Sequence, residues 1–412
     1  MTTVPQLEIE ADRAGFDPQR LARIDRHLDR YVEAGRLAGW QLLIARDRRI
    51  AHLGSGGLRD VEAGLPVEPD TIWRIFSMTK PITSVAAMML YEEGGFELKD
   101  PIARFLPAFA DMRIYDGGSS QKPRTVAATE PIRMWHLLTH TAGLTYGFHY
   151  AHPLDTMYRD RGYEWGTPSG MDLAAVCDQY AELPLLFEPG SEWNYSVATD
   201  VLGRVVEVLA GAPLDQVLAK RVLEPLGMDD TAFWAAGESA DRLAALYTPD
   251  PRTGRATRYD RMGRIHLGAP DCLLGGGGLV STIADYHRFT QMLLGGGELD
   301  GIRLLGPRTL GFMTANHLPG GADLEQYGRP LFSETTYDGV GFGLGFSVVQ
   351  DPVAARYPAS RGEFAWGGAA STAFWVDPVE RLTVVFMTQL IPSSTYALRA
   401  QLHQLIHQAI VD

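Results

Sequence analysis

Strand-like segments cluster at the two ends of this chain, and a long helix-rich stretch separates them. Residues 39–45 and 49–54 read as strands joined tightly at Asp47-Arg48. Near the other end, residues 342–350, 362–366, 372–377 and 382–389 read the same way. Helices frame both groups. Residues 17–36 place Leu21, Ile24, Leu28, Tyr31 and Val32 on one face, and residues 394–411 place Leu398, Leu402, Leu405, Ile406 and Ala409 on one stripe. Strands at both termini with helices beside them imply a single antiparallel sheet built from both ends of the chain. The expected fold class is therefore α/β of the α+β type, an antiparallel sheet flanked by helices. Residues 101–270 are mostly helical or loop-like and form an expected insertion, so the sheet domain is discontinuous, from 1–100 and 271–412.

With 412 residues and 45% hydrophobic content, the chain can bury a core of that size. A net charge of −13 with no basic cluster argues against nucleic acid or an anionic membrane as partner. The two cysteines, Cys177 and Cys272, show no metal-ligand spacing and fit a reduced compartment as core residues. Residues 1–16 carry acids and no apolar signal-like run, and no segment approaches a membrane span in length, so a soluble, cytoplasmic protein is expected. Oligomeric state is not legible.

Four lysines stand against thirty-three arginines, and one of the four follows a serine by three residues, in Ser77-Met78-Thr79-Lys80-Pro81. Arg stays protonated at any working pH, whereas a buried Lys can lose its proton and act as a base. A serine hydroxyl is a poor nucleophile until a neighbour removes its proton. At i and i+3 on a helix, the amine lies beside the hydroxyl. The tetrad also recurs by chance. A second copy, Ser119-Ser120-Gln121-Lys122, is bracketed by Gly117, Gly118 and Pro123 and reads as an exposed loop. The 77–80 copy instead opens a helix that ends near Gly94-Gly95, with Pro81 tolerated in the first turn.

Serine and lysine chemistry needs a third proton-handling group and donors for the developing oxyanion. Tyr195, in Tyr195-Ser196-Val197 just before a helix at 198–210, is a candidate for the first. Trp366-Gly367-Gly368-Ala369, at the end of an expected strand, is a candidate for the second, because glycines leave backbone N–H groups open to a ligand. Gly275-Gly276-Gly277-Gly278 lacks the Gly-Lys-Ser/Thr of a phosphate loop and reads as close backbone packing before a helix near Ser281. None of the eleven histidines has HExxH-like spacing, and His140 reads as a packed structural residue. No metal or cofactor is expected.

Ser77-x-x-Lys80, then Tyr195-Ser196-Val197, then Trp366-Gly367-Gly368, in that order, resembles the serine β-lactamase and penicillin-binding protein superfamily. The closest resemblance is to its class C-like esterases, the family VIII carboxylesterases. The stretches His136 to Leu144, Glu188-Pro189-Gly190, Pro225 to Met228 and Ser281 to Asp285 match as well, so the likeness spans about residues 17 to 410. β-Lactamases carry a Lys-Thr-Gly box that binds the substrate carboxylate; here Trp366 stands in its place and no lysine is followed by Thr-Gly. The usual Tyr-x-Asn motif has Val197 where Asn helps hold an amide. Both departures favour a neutral, apolar ester.

The resemblance implies a serine carboxylesterase that hydrolyses short- to medium-chain acyl esters through a Ser77 acyl-enzyme. Lys80 and Tyr195 share the general-base work, and the N–H groups of Ser77 and Ala369 form the oxyanion hole. Trp366, Gly367, Gly368 and Val197 are expected to line the substrate pocket, together with Tyr146, Phe148, His149, Tyr150 and Trp165 from an irregular wall at 145–169. The partner is a small-molecule ester. A transacylase using the same acyl-enzyme, a weak β-lactamase or D-amino-acid peptidase, and a binding module that stays acylated are the alternatives; the last normally brings a membrane segment or output domain.

Overall fold

The computed structural model describes residues 4–412. Its centre is an eight-stranded antiparallel sheet. The strands in chain order are β1 (Gly39–Arg46), β2 (Arg49–Asp60), β3 (Leu65–Pro66), β4 (Val340–Phe342), β5 (Ser347–Val349), β6 (Phe364–Gly367), β7 (Ala373–Asp377) and β8 (Leu382–Thr388). In space they run β4-β5-β6-β7-β8-β1-β2-β3, so the last strand of the chain pairs with the first, Leu43 opposite Val385. The sheet is thus closed from both ends of the chain, as the pattern of the sequence implies.

Alternation decides which face each side chain serves. Leu42 and Ile44 of β1, Trp375 of β7 and Val384 and Phe386 of β8 pack with Leu21, Ile24 and Leu28 of α1 (Pro18–Glu33) and with Leu402 and Ile406 of a C-terminal helix, Leu398–His407. Leu43, Phe374, Val376 and Val385 point the other way, into a larger apolar cluster. That cluster includes the helices α2 (Thr79–Glu92), α3 (Ala198–Ala210) and α4 (Ile283–Leu294), so the C-terminal helix is α5. Helix α2 is buried from Thr79 through Met88, and Thr79, Lys80 and Thr83 on one face each find a backbone partner between Gly275 and Leu279.

Several boundaries differ from expectation. The segment 342–350 is two strands, not one. Gly343 and Gly345 turn the chain between β4 and β5, and Gly345 takes φ +100°, a conformation that favours glycine. The expected loop at Ser119 to Lys122 is the tip of a β-hairpin, Arg113–Ser119 with Lys122–Ala127. Strand β2 runs six residues past Gly54, to Asp60. Helix α5 begins only at Leu398, after a short turn at Ser393–Thr395. The stretch 145–169 is not irregular throughout. It holds a helix, Pro153–Asp160, anchored by buried Leu154, Asp155 and Tyr158.

Candidate active site

Ser77 sits where an extended segment becomes a helix. Trp73-Arg74 pairs with Val280-Ser281, a single 3-10 turn spans Phe76–Met78, and α2 starts at Thr79. Phe76 takes φ +41°, a left-handed conformation that costs a non-glycine residue about 1–2 kcal/mol. The bend turns the Ser77 side chain toward a cavity of ≈ 340 Å³ lined by Ser77, Tyr146, Phe148, Trp165, Val197 and Ala369 among others.

One turn along, Lys80 Nζ lies 3.2 Å from Ser77 Oγ and donates to the Gly276 carbonyl at 2.6 Å. The Tyr195 hydroxyl donates to Ser77 Oγ at 2.6 Å. Tyr195 enters at the mouth of α3, and its ring is clasped by His140, Tyr146 and Trp366 at centroid distances of 5.1, 5.2 and 5.4 Å. Its carbonyl is paired with His149 Nε2 at 2.7 Å. Lys80 Nζ also lies over the Tyr195 ring, 4.6 Å from its centroid. The structure thus brings together the three residues that the sequence singles out from positions far apart in the chain.

Burial sets the proton affinities. Lys80 is pushed down to about 8 by desolvation, against the pull of the Asp200 and Glu334 carboxylates, which favour its charged form. Tyr195 is pushed well above its ordinary value, first by burial and then by the nearby Glu334; the Ser77 hydroxyl and Trp366 indole oppose this only in part. Asp200 is raised to about 6 by its own burial, with Lys80 and the Gly276 N–H working against that rise.

Four residues of the site were not legible in the sequence. The glycine run does pack closely, since Gly275 abuts the Thr199 carbonyl. It also carries the carbonyl that holds Lys80, while the Gly276 N–H donates to Asp200 Oδ1 at 2.7 Å. Asp200 is therefore tied to Lys80 through the backbone of one residue, Gly276. On the other side, Arg399 of α5 donates from Nη2 to the Gly368 and Thr372 carbonyls, both at 3.1 Å, and pairs with buried Glu334 at 2.6 Å. These bonds grip the turn between β6 and β7 that brings Ala369 to the cavity wall. A Cβ on Gly368 would collide with the Ile75 carbonyl, two residues before Ser77, which is why the turn needs glycine there.

Trp366, Gly367 and Gly368 do not line this cavity, contrary to expectation. Gly367 is filled against by the Arg399 guanidinium, and the Trp366 ring is packed behind Tyr195 and against Phe342. Val197 and Ala369 do line it. Of the expected wall, Tyr146, Phe148 and Trp165 form a continuous stack, with centroids 4.5 and 4.4 Å apart. His149 instead braces Tyr195, and Tyr150 is exposed over Arg159. The lining includes the acids Glu164, Asp200, Asp271 and Glu334 and, among the described residues, no lysine or arginine. His140, at φ +56°, is buried and neutral, its ring bonded to Ser196, as a structural residue would be. Cys177 and Cys272 are free and buried. Among the described residues, the one grouping of metal-ligating side chains lies outside this cavity, at Glu363, Asp377 and His407.

A family model described as Beta-lactamase matches residues 24–408. Protein Rv1367c of Mycobacterium tuberculosis is 38% identical over 363 residues, 87% of this chain and 88% of that one. Esterase EstB of Burkholderia gladioli is 33% identical over 385 residues, 89% of this chain and 90% of that one. The solved structure of EstCE1, described as a hydrolase with promiscuous acyltransferase activity, superposes with a TM-score of 0.80 at 29% identity, covering 96% of this chain and 99% of that one. None of the helices is long and apolar enough to cross a membrane, among the described residues.

Proposed function

The chain belongs to the Beta-lactamase family, and from that premise we propose that it is a serine carboxylesterase acting on neutral, short- to medium-chain acyl esters. The observation that carries the proposal is Ser77 Oγ held between Lys80 Nζ at 3.2 Å and the Tyr195 hydroxyl at 2.6 Å, at the wall of a cavity lined, among the described residues, by no lysine or arginine. Similarity to an esterase over nearly the whole chain supports the same reading.

Neutral Lys80 takes the Ser77 proton as Oγ attacks the ester carbonyl carbon. The opposed pKa displacements favour this division of labour, since Lys80 is brought toward neutrality and Tyr195 is kept a phenol. The carbonyl oxygen becomes an oxyanion, received by the N–H groups of Ser77 and Ala369. Collapse expels the alkoxide, which takes a proton from Tyr195, itself reprotonated by the Lys80 ammonium. Water then repeats the attack on the acyl-enzyme and releases the acid. The absence of a cation in the lining disfavours β-lactams, which carry a carboxylate. Two free, buried cysteines support a reducing, cytoplasmic location.

Hydrolysis of p-nitrophenyl esters of graded chain length, with a chromogenic cephalosporin alongside, tests this. Ester turnover should fall by roughly 10³-fold or more in Ser77→Ala, with little cephalosporin cleavage by the wild type. Ester activity surviving in the variant would sink the nucleophile assignment, and fast cephalosporin cleavage would overturn the substrate class. The second reading, transacylation, is favoured by the likeness to EstCE1; added alcohol that diverts acyl product from acid to new ester would establish it.

A further inference from the structure

Behind the sheet, where α5 crosses the start of β6 and the end of β7, three acceptor groups face one another. Glu363 immediately precedes β6 and Asp377 closes β7; the pairing of Phe364 with Val376 sets the two carboxylates side by side. Both side chains are fully buried. His407, at the last turn of α5, completes the group, and one ligand atom from each of the three lies within 4.8 Å of the others.

The hydrogen bonds around this cluster fix what each atom can offer. His407 Nδ1 lies 3.0 Å from the His403 carbonyl, which can only accept, so Nδ1 carries the ring proton. In the neutral ring that leaves Nε2 a bare lone pair, and Nε2 is buried without a partner. Glu363 Oε1 is bonded to His403 Nε2 at 2.9 Å, whereas its Oε2 is buried and unpartnered. Asp377 accepts from the N–H groups of Val379 and Glu380 through Oδ1 and from Ser360 through Oδ2. Glu363 Oε2 and the Nε2 lone pair of His407 are thus buried acceptors without a donor, an arrangement that a bound cation would satisfy.

We propose that Glu363, Asp377 and His407 form a binding site for a divalent transition-metal ion of the zinc type, which clamps α5 to strands β6 and β7. Carboxylate oxygen and imidazole nitrogen suit such an ion, and three protein ligands leave one position for water. Tetrahedral coordination at zinc bond lengths places ligand atoms about 3.4 Å apart, so closure asks only for small side-chain rotations of His407 and Glu363. His403 acts as the outer partner: its Nε2 holds Glu363 Oε1, its Nδ1 faces the Arg399 carbonyl at 2.9 Å, and its ring stacks on Trp375 at 4.0 Å. The role is structural. The ion would fix the residue just before the strand whose far end carries the Gly367-to-Thr372 turn.

The test uses full-length protein stripped with EDTA and exchanged into metal-free buffer, titrated with ZnCl2 by calorimetry and followed by thermal unfolding. The expected result is one equivalent bound at micromolar affinity or tighter, with a rise in Tm that saturates at that equivalent. His407→Ala, at a half-buried position where folding should survive, should weaken binding at least tenfold and abolish the Tm rise while leaving ester turnover intact. Glu363→Gln should weaken binding likewise. Wild-type protein that binds no stoichiometric Zn2+ would overturn the site. So would His407→Ala binding as tightly as wild type, which would move the ion to another histidine.

Discussion

Lys80 answers to two opposed demands. Its burial favours the neutral amine that a base requires, while the carboxylates of Asp200 and Glu334 favour the ammonium. The balance, about 8, places the proton release of Lys80 just above neutrality. If neutral Lys80 is the base, kcat/KM should rise with pH and level off above that value. Asp200→Asn removes one carboxylate that raises Lys80, so the acid limb of the profile should move to lower pH. A limb that stays in place in Asp200→Asn would show that another group controls it. At this scale legibility follows sequence distance. Ser77 and Lys80 are three residues apart on one turn, and Tyr195 is marked by a motif. Asp200 and Gly276 meet Lys80 only through folding, the Gly276 carbonyl from 196 positions away, and no local pattern announces an acid acting through the backbone of a glycine.

Among the elements, α5 does more than cover the sheet. Arg399 spans Glu334 and the carbonyls of Gly368 and Thr372, and the planar fork of its guanidinium is what lets one side chain hold several acceptors. That grip positions Ala369, so Arg399 is a positioning residue for the proposed oxyanion hole. Arg399→Lys keeps the charge opposite buried Glu334 and loses the fork. It should lower kcat by roughly tenfold or more, a fraction of the 10²–10³ that loss of an oxyanion donor costs, with KM nearly unchanged. A change confined to KM, or to Tm with kcat intact, would make Arg399 merely structural. Nothing in the amphipathic stripe of α5 marks Arg399, because stripes report apolar burial and this contact is polar. The same limit explains the strand boundaries. Apolar content runs through 342–350, yet Gly343 lies against the Met313 carbonyl and Gly345 turns with positive φ, so the run divides into β4 and β5.

For the whole molecule, the short, nearly continuous apolar runs of β1, β7 and β8, buried on both faces, were enough to show a sheet drawn from both ends of the chain. They could not show which acids reach the cavity. There Asp200, Asp271 and Glu334 converge from separate elements to meet the expected stack of Tyr146, Phe148 and Trp165. This convergence joins two levels of electrostatics. A chain of net charge −13 repels anions at long range, and the cavity offers them no cation at contact. An ester whose acyl chain ends in a carboxylate should therefore be a worse substrate than its neutral counterpart of equal length, by at least tenfold in kcat/KM at low ionic strength. Salt screens the long-range share over roughly 8–10 Å at 0.1–0.15 M, so the gap should narrow as salt is added but not close, since the desolvation cost inside the cavity is screened much less. Paired p-nitrophenyl esters measured across a salt series separate the two contributions. Equal turnover of both esters at low salt would mean that a cationic group reaches the acyl chain during catalysis, and the neutral-ester specificity would fall with it.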